Sequence, residues 1–478
     1  MLSQQPFRLW PFIFVFVLAQ IYFVEQFRVS KLKVFKIAFV ITWAIYAVGM
    51  CTWLSLFGVP ALFAFVGIQL LFGYLFFLGI AYLPQRLPIF IEYPIYWVVF
   101  ELFQARIPFI SFSWLTYSTT LISTPFGQFA RIGGGALLTF FIVFCSAIAY
   151  KLIILFQKKN LSFKFIQQRI FLVTTVVIAG LFLLAPIALT GSKETKLITV
   201  IQGNDKNRYL TQEEIDGEYI ENSHLDLASK IDFQSDILIF PESAFNDDIE
   251  DDNQLKGDLS RVAKKSNSLM IANSIATIDG KDFNRNYFYD NKMKLLGTYD
   301  KKRLVPFGEY VPFEKVIGKW AIFDEIGSGF APGKKDVTIK GVTSLICYES
   351  AFSADVTKAL NGDSRLLIIT TNNRSYQRTG NSVQHRTLTQ LRALENGISA
   401  VHASVSGSSA LIERDGTIVS KSELFERTVI SGNLSWGQPD SIYSRTGDWL
   451  SLLALLVVIY LYLSNKGKIL WKNLTSKN

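Results

Sequence analysis

Between residues 9 and 190, apolar stretches recur, each long enough to cross a bilayer, and this constrains the fold more than any motif does. Backbone N–H and C=O groups inside lipid must bond within their own segment, so such stretches are read as helices. The pattern predicts spans at about 9–26, 35–53, 58–83, 88–105, 131–156 and 170–190, and one more at 446–464. Pro84 and Pro88 fall between the third and fourth. A cleaved leader would give one apolar segment, not a recurring set. Half of the residues are apolar and 40 are Phe, and the excess sits in these stretches.

Charge predicts the orientation. Arg28, Lys31, Lys33 and Lys36 follow the first span, and Arg86 lies between the third and fourth. Lys158, Lys159, Lys164 and Arg169 lie between the fifth and sixth, and Lys466, Lys468, Lys472 and Lys477 end the chain. Alternating spans put all four clusters on one side, which the positive-inside rule makes cytoplasmic. Residues 191–445 then face outward. The expected organisation is a polytopic bundle of about six spans over 1–190, an outer domain over 191–445, and a helix with a basic tail over 446–478. The net charge of +9 follows from this topology. With no zinc spacing, Walker loop or basic-aromatic repeat, nucleic acid is not an expected partner.

The outer domain alternates short β-rich runs with polar, helix-compatible segments, which favours an α/β domain. "KLITVIQGN" reads as a strand ending at Gly203-Asn204, and "DILIFPES" as one stopping at Pro241-Glu242. "LMIANSIATI", "VTSLICYES" and "RLLIITTNN" read as further strands, and "NYFYDNKMKLLGTYD" as a hairpin about Asp290-Asn291. "AVHASVSGSSALIERDGTIV" turns at Asp415-Gly416. Residues 211–231 carry helical spacing at Ile215, Tyr219, Ile220, Leu225 and Leu227.

Reactive side chains sit where strands stop, the place where open α/β sheets bind ligands. Glu242 follows "DILIF", Cys347 ends "SLI", Asn372 and Asn373 end "LLIITT", and Lys301 follows "LLGTY". Each has a plainer reading. Glu242 could cap a helix, Lys301 could be one of a solvated charge run, and Glu309 could be a loop carboxylate. Cys51 and Cys145 lie in or beside spans, leaving Cys347 without a disulfide partner in the outer domain. A lone thiol on an oxidising side is a liability unless buried or used. His224, His385 and His402 are not at strand ends, so a Cys–His pair is not favoured, and lysine and glutamate would supply the proton chemistry.

"FPES" at 240–243, "YDKKRLVPFGEYVPF" at 299–313 and "ICYE" at 346–349 together resemble the nitrilase, or carbon–nitrogen hydrolase, superfamily. The lysine segment, "QGN" at 202–204 and "QLRALENG" at 390–397 resemble its apolipoprotein N-acyltransferase family. That resemblance implies an αββα sandwich outside the membrane. It implies Glu242 as general base, Lys301 rather than Lys302 as catalytic lysine, and Cys347 as nucleophile. Tyr348 and Glu349 complete a Cys-Tyr-Glu signature, and Glu309 matches a second essential glutamate. It implies an acyl chain passing from a phospholipid, through a thioester on Cys347, to the amine of a diacylglyceryl-cysteine prolipoprotein at a bacterial cytoplasmic membrane. Neither metal nor organic cofactor is implied.

Three departures stand out. The family's Asn-Asp and Trp-containing loop is replaced by "NNRSYQRTGNSVQH" at 372–385, no tryptophan follows the "QGN" segment, and one N-terminal span is missing. In the altered loop, Arg374 is a candidate for a phosphate headgroup and Tyr376 for an acyl chain or lid. A membrane-anchored amidase or nitrilase, with water attacking the thioester, stays open as a second reading. An inactive scaffold partnering an envelope enzyme is a third.

Overall fold

The structure is a computed structural model. It describes residues 7–82, 85–107, 112–157, 176, 179–180, 194–204, 206, 210–312 and 329–475, with side chains as far as 464. The expected span at 170–190 and the basic residues of 158–169 lie outside the described residues, apart from 176, 179 and 180. Two compact units divide the chain: helices before residue 190 and after 445 form one, and residues 190–445 form the other.

The first unit holds α1 (Phe12–Ser30), α2 (Lys33–Met50), α3 (Val59–Tyr82), α4 (Ile89–Arg106), α5 (Ala130–Gln157) and a C-terminal helix, Trp449–Thr475. Among the described residues, four segments are long and apolar enough to span a membrane: Phe12–Ser30, Lys33–Met50, Val59–Tyr82 and Pro125–Leu155. The span expected at 88–105 is a helix, α4, but it is not among these four. It carries Glu92 and Glu101, and both are turned inward, as the cost of a charge in lipid requires. Arg28 bonds Glu25 at 2.7 Å, Glu92 at 3.1 Å and the Ile80 carbonyl at 2.5 Å, tying α1, α3 and α4 together. Glu101 accepts from the Tyr117 N–H at 3.1 Å and the Thr139 hydroxyl at 2.8 Å.

The second unit is two six-stranded sheets. One has the order β12–β1–β2–β3–β4–β5 and the other β11–β10–β9–β8–β7–β6. The strands are β1 (Thr195–Gln202), β2 (Ile237–Ile239), β3 (Leu269–Ile278), β4 (Lys281–Tyr289), β5 (Leu295–Asp300) and β6 (Thr338–Ile339), then β7 (Val342–Ile346), β8 (Leu366–Thr371), β9 (Ser399–Ser404), β10 (Ala410–Ile412), β11 (Ile418–Lys421) and β12 (Thr428–Ser435). β1, β2 and β3 run parallel, as do β7, β8 and β9. Parallel strands are covered on both faces and so read as continuous apolar runs; "VTSLI" and "LLIITT" are fully buried.

Side-chain alternation divides the core. Ile237 and Ile239 of β2 face inward with Ile198, Val200, Ile346 and Ile368, sealing the two sheets together. Leu238, between them, packs outward with Leu255, Leu259 and Ala263. These belong to α7 (Asn253–Ser266), which with α6 (Tyr219–Ser229) covers the first sheet; α8 (Asn381–Asn396) packs on β9 of the second. The layers are therefore αββα. The single helical spacing read over 211–231 is corrected. A helix over Gln212–Asp216 ends at Gly217, Ile215 is exposed, and the buried face of α6 is Ile220, His224 and Ala228. Its period of four was masked by Leu225 and Leu227, which are only partly covered.

Candidate active site

Three strand ends meet at the same edge of the sandwich. β5 runs antiparallel to β4, and β4 to β3, so β5 points the same way as β2 and β3. Glu242 lies three residues past β2, Lys301 follows β5, and Cys347 follows β7. The Lys301 side chain is completely buried, its ammonium 3.2 Å from Glu242 Oε1 and 2.5 Å from Glu309 Oε1. Its neighbour Lys302 turns outward to pair with Asp336. One lysine of "DKKR" is thus locked inside and the next is not.

Each carboxylate is aimed by uncharged donors. Glu242 Oε1 accepts from Asn284 Nδ2 at 2.7 Å, and Oε2 from the Asn372 N–H at 2.7 Å. Asn284 Oδ1 in turn accepts from Asn273 at 2.9 Å. Asn273 also bonds Asn286, which reaches across to Ser344 and Thr370 of the second sheet at 2.7 and 3.0 Å. Glu309 Oε2 accepts from the Val305 N–H at 2.8 Å, folding its loop back onto Lys301.

Burial alone would drive the Lys301 ammonium to deprotonate. Glu242, Glu309 and the Cys347 sulfur outweigh it and hold its pKa well above the usual lysine value. The thiol moves against its own chemistry. Burial first, then Glu242, push Cys347 up to about 12, although Lys301 pulls it down. The resting sulfur is therefore a thiol, which gains nucleophilic strength only where a base can take its proton.

Cys347 has φ 54°, a left-handed conformation that is strained for a side-chain-bearing residue. Glu349, two residues on, is buried and pins this turn. It accepts from the Tyr299 hydroxyl at 2.8 Å and from the backbone N–H of Ile346, Lys302 and Arg303 at 2.8, 3.0 and 3.1 Å. One carboxylate thereby joins the Cys347 turn to the lysine loop. Tyr348 is partly exposed and packs edge-on against Phe352.

Arg374 and Tyr376 share a 3-10 turn after β8, both partly exposed. Burial, then Cys347, raise the Tyr376 phenol, and Lys301, Glu242 and Glu309 also act on it, so its hydroxyl lies within electrostatic reach of the cluster. Arg374 donates its backbone N–H to Asn372 Oδ1 at 3.2 Å. Neither His385 nor His402 bonds the sulfur directly. His385 meets the backbone carbonyl of Cys347, and His402 lies within β9, bonded to Thr389.

Residues that strand-end reasoning passed over are Asn273, Asn284, Asn286, Thr371 and His385. A signal existed for two of them. Asparagine is poor in strands, and Asn284 and Asn286, two apart in "FNRNY", must share a face.

Residues 1–148 match the family described as the apolipoprotein N-acyltransferase N-terminal domain, and residues 198–439 match the carbon–nitrogen hydrolase family. An apolipoprotein N-acyltransferase of Geobacter metallireducens is 28% identical over 479 residues, covering 92% of this chain and 89% of that protein. One of Haemophilus influenzae is 26% identical over 485 residues, covering 95% of this chain and 91% of that protein.

Proposed function

Because the chain belongs to the carbon–nitrogen hydrolase family, in its apolipoprotein N-acyltransferase branch, we propose that it moves an acyl chain from a phospholipid to the N-terminal amine of a diacylglyceryl-cysteine lipoprotein, with Glu242, Lys301 and Cys347 as catalytic residues. The observation that carries this reading is the Lys301 ammonium held between two carboxylates at the strand edge that presents Cys347.

In the first half-reaction Glu242 takes the thiol proton as Sγ attacks the ester carbonyl. The S–C bond forms, the ester C–O bond breaks, and the proton passes to the departing lysophospholipid oxygen. In the second, the lipoprotein amine attacks the thioester carbonyl. The C–N bond forms, the C–S bond breaks, and Glu242 carries the amine proton to the leaving sulfur. Two easier steps replace one hard one. Lys301 faces the negative charge that develops on the carbonyl oxygen, and a well-placed donor there contributes about 3 kcal/mol. Glu309 keeps Lys301 charged and aimed. Glu349 keeps the nucleophile turn in place. Tyr376 meets the acyl ester above the sulfur, and Arg374, on the same turn, meets the donor phosphate.

The four apolar segments support a membrane location. The basic clusters support the bacterial cytoplasmic membrane with the second unit outward. The test is intact-mass analysis of a reporter lipoprotein incubated with phospholipid and the purified chain. The reading expects one added amide-linked acyl chain, absent with Cys347→Ser. Released free fatty acid with an unmodified reporter would replace it with a hydrolase.

A further inference from the structure

Hydrogen bonds form a ring that starts on the carbonyl of Cys347 and ends on its sulfur. His385 Nε2 lies 2.9 Å from the Cys347 carbonyl oxygen, which can only accept, so Nε2 carries the proton. Burial lowers His385 to about 4, so the ring is neutral and Nδ1 is an acceptor. Asn373 Nδ2 lies 3.3 Å from Nδ1 and also donates to Asn381 Oδ1 at 3.1 Å. Both contacts orient the Asn373 amide with its oxygen toward Thr371. The Thr371 hydroxyl is 2.9 Å from Asn373 Oδ1 and 3.6 Å from Cys347 Sγ. Thr371, Asn373 and His385 are all buried.

Thr371 has one hydrogen and three acceptors within reach: Asn373 Oδ1, Cys347 Sγ and, at 3.3 Å, His385 Nδ1. Against a thiol, the shorter bond to Asn373 is the better one. Against a thiolate, the charged acceptor wins, because a hydrogen bond to a charged group is roughly twice as strong. We propose that His385 and Asn373 are positioning residues that hold the strained Cys347 turn and aim Thr371, and that the Thr371 hydroxyl rotates from Asn373 onto the sulfur as the thiolate forms. No proton leaves Thr371. The same rotation serves both half-reactions, because the sulfur becomes anionic on attack and again as the amine displaces it. This deepens the proposed function, resting on Cys347 as the nucleophile but not on the identity of the acyl donor or acceptor.

The test uses the full-length chain in membranes and reads iodoacetamide alkylation at the Cys347 peptide between pH 7 and 9.5. Below its midpoint the rate reports the thiolate fraction. The sulfur is also faced by Glu242 from the end of β2, Lys301 and Glu309 from the segment after β5, Tyr376 from the turn after β8, and His385 from α8; only His385 among these is changed. Thr371→Val, close in shape, is expected to slow alkylation about tenfold. Thr371→Ser recovers it to within about twofold, since the donor returns. His385→Ala slows it as well. His385→Gln restores part of the rate, because its amide N–H can still reach the Cys347 carbonyl. Alkylation of Thr371→Val at the wild-type rate would overturn the proposal, as would His385→Gln no faster than His385→Ala with unchanged thermal unfolding. Slowing in Thr371→Val beside a wild type that forms no thioester would support the ring and count only against the acyltransferase reading.

Discussion

The two sheets of the second unit supply the site with different chemistry. The sheet containing β2 and β5 brings charge: Glu242, Lys301 and Glu309. The sheet containing β7 and β8 brings a thiol and the Thr371 hydroxyl, with a neutral imidazole from α8 packed on it and the Glu349 carboxylate bonded to the turn's backbone. In the proposed mechanism, charge sits on the side that moves protons and meets an oxyanion. On the second side the groups facing the sulfur are uncharged, and the one carboxylate, Glu349, is spent on holding the strained turn. Replacing the Glu242 carboxylate of the first sheet should move thiol reactivity and acyl transfer in opposite directions, whereas replacements on the second should lower both together.

The largest effect is expected at Lys301. Lys301→Ala leaves two carboxylates buried without their cation, a loss of about 3–5 kcal/mol of stability. Acyl loading should fall about a thousandfold. It also removes the group that pulls the Cys347 thiol down, so alkylation slows too. Lys302→Ala, at an outward pair, should leave loading within about twofold, the range of a surface ion pair. Single-turnover loading and thermal unfolding check both. Equal losses at the two lysines would erase the distinction between the inward and the outward residue.

Glu242→Gln gives the sharpest contrast. Loss of the base should cut loading by about a hundredfold or more. Yet Glu242 is one of the groups that raise the Cys347 thiol. Without that negative charge the thiol pKa falls, the thiolate fraction at pH 8 rises, and alkylation speeds up. Faster alkylation with slower acyl transfer is the expected signature. Parallel losses would mean that Glu242 only shapes the pocket.

Glu349→Gln follows. Its carboxylate accepts from four donors. A glutamine amide would turn N–H groups toward backbone N–H groups, costing about 2–3 kcal/mol. The melting temperature and loading should fall together, unlike the split at Glu242. The smallest effect is expected at Asn284→Ala, about tenfold on loading, since Glu242 keeps the Asn372 N–H and Lys301.

Much of this was legible in the chain because it is local. Apolar runs of strand length mark β2, β7 and β8, and each stops beside a polar residue that reaches the site. The hairpin about Asp290 was visible, but β4 begins at Lys281, earlier than its apolar half suggests, because its first residues pair with the end of β3, Lys281 opposite Ile278. β12 has no strong signal of its own and is made by pairing with β1, more than two hundred residues away. The inner support was hidden for the same reason. Asn273 reads as one polar residue of a strand until Asn284 and Asn286 arrive beside it, and His385 reads as one polar residue of a helix until Cys347 is set against it. In the membrane unit, the inward acids of α4 become intelligible only when Arg28, Tyr117 and Thr139 are placed around them.

The most direct measurement is the mass of the peptide carrying Cys347 after the purified chain meets phospholipid with no acceptor present. The expected result is one acyl chain on that cysteine, released by neutral hydroxylamine and discharged when a diacylglyceryl-cysteine peptide is added. An acyl chain on Cys51 or Cys145, or none on any cysteine while the reporter lipoprotein is still acylated, would contradict it.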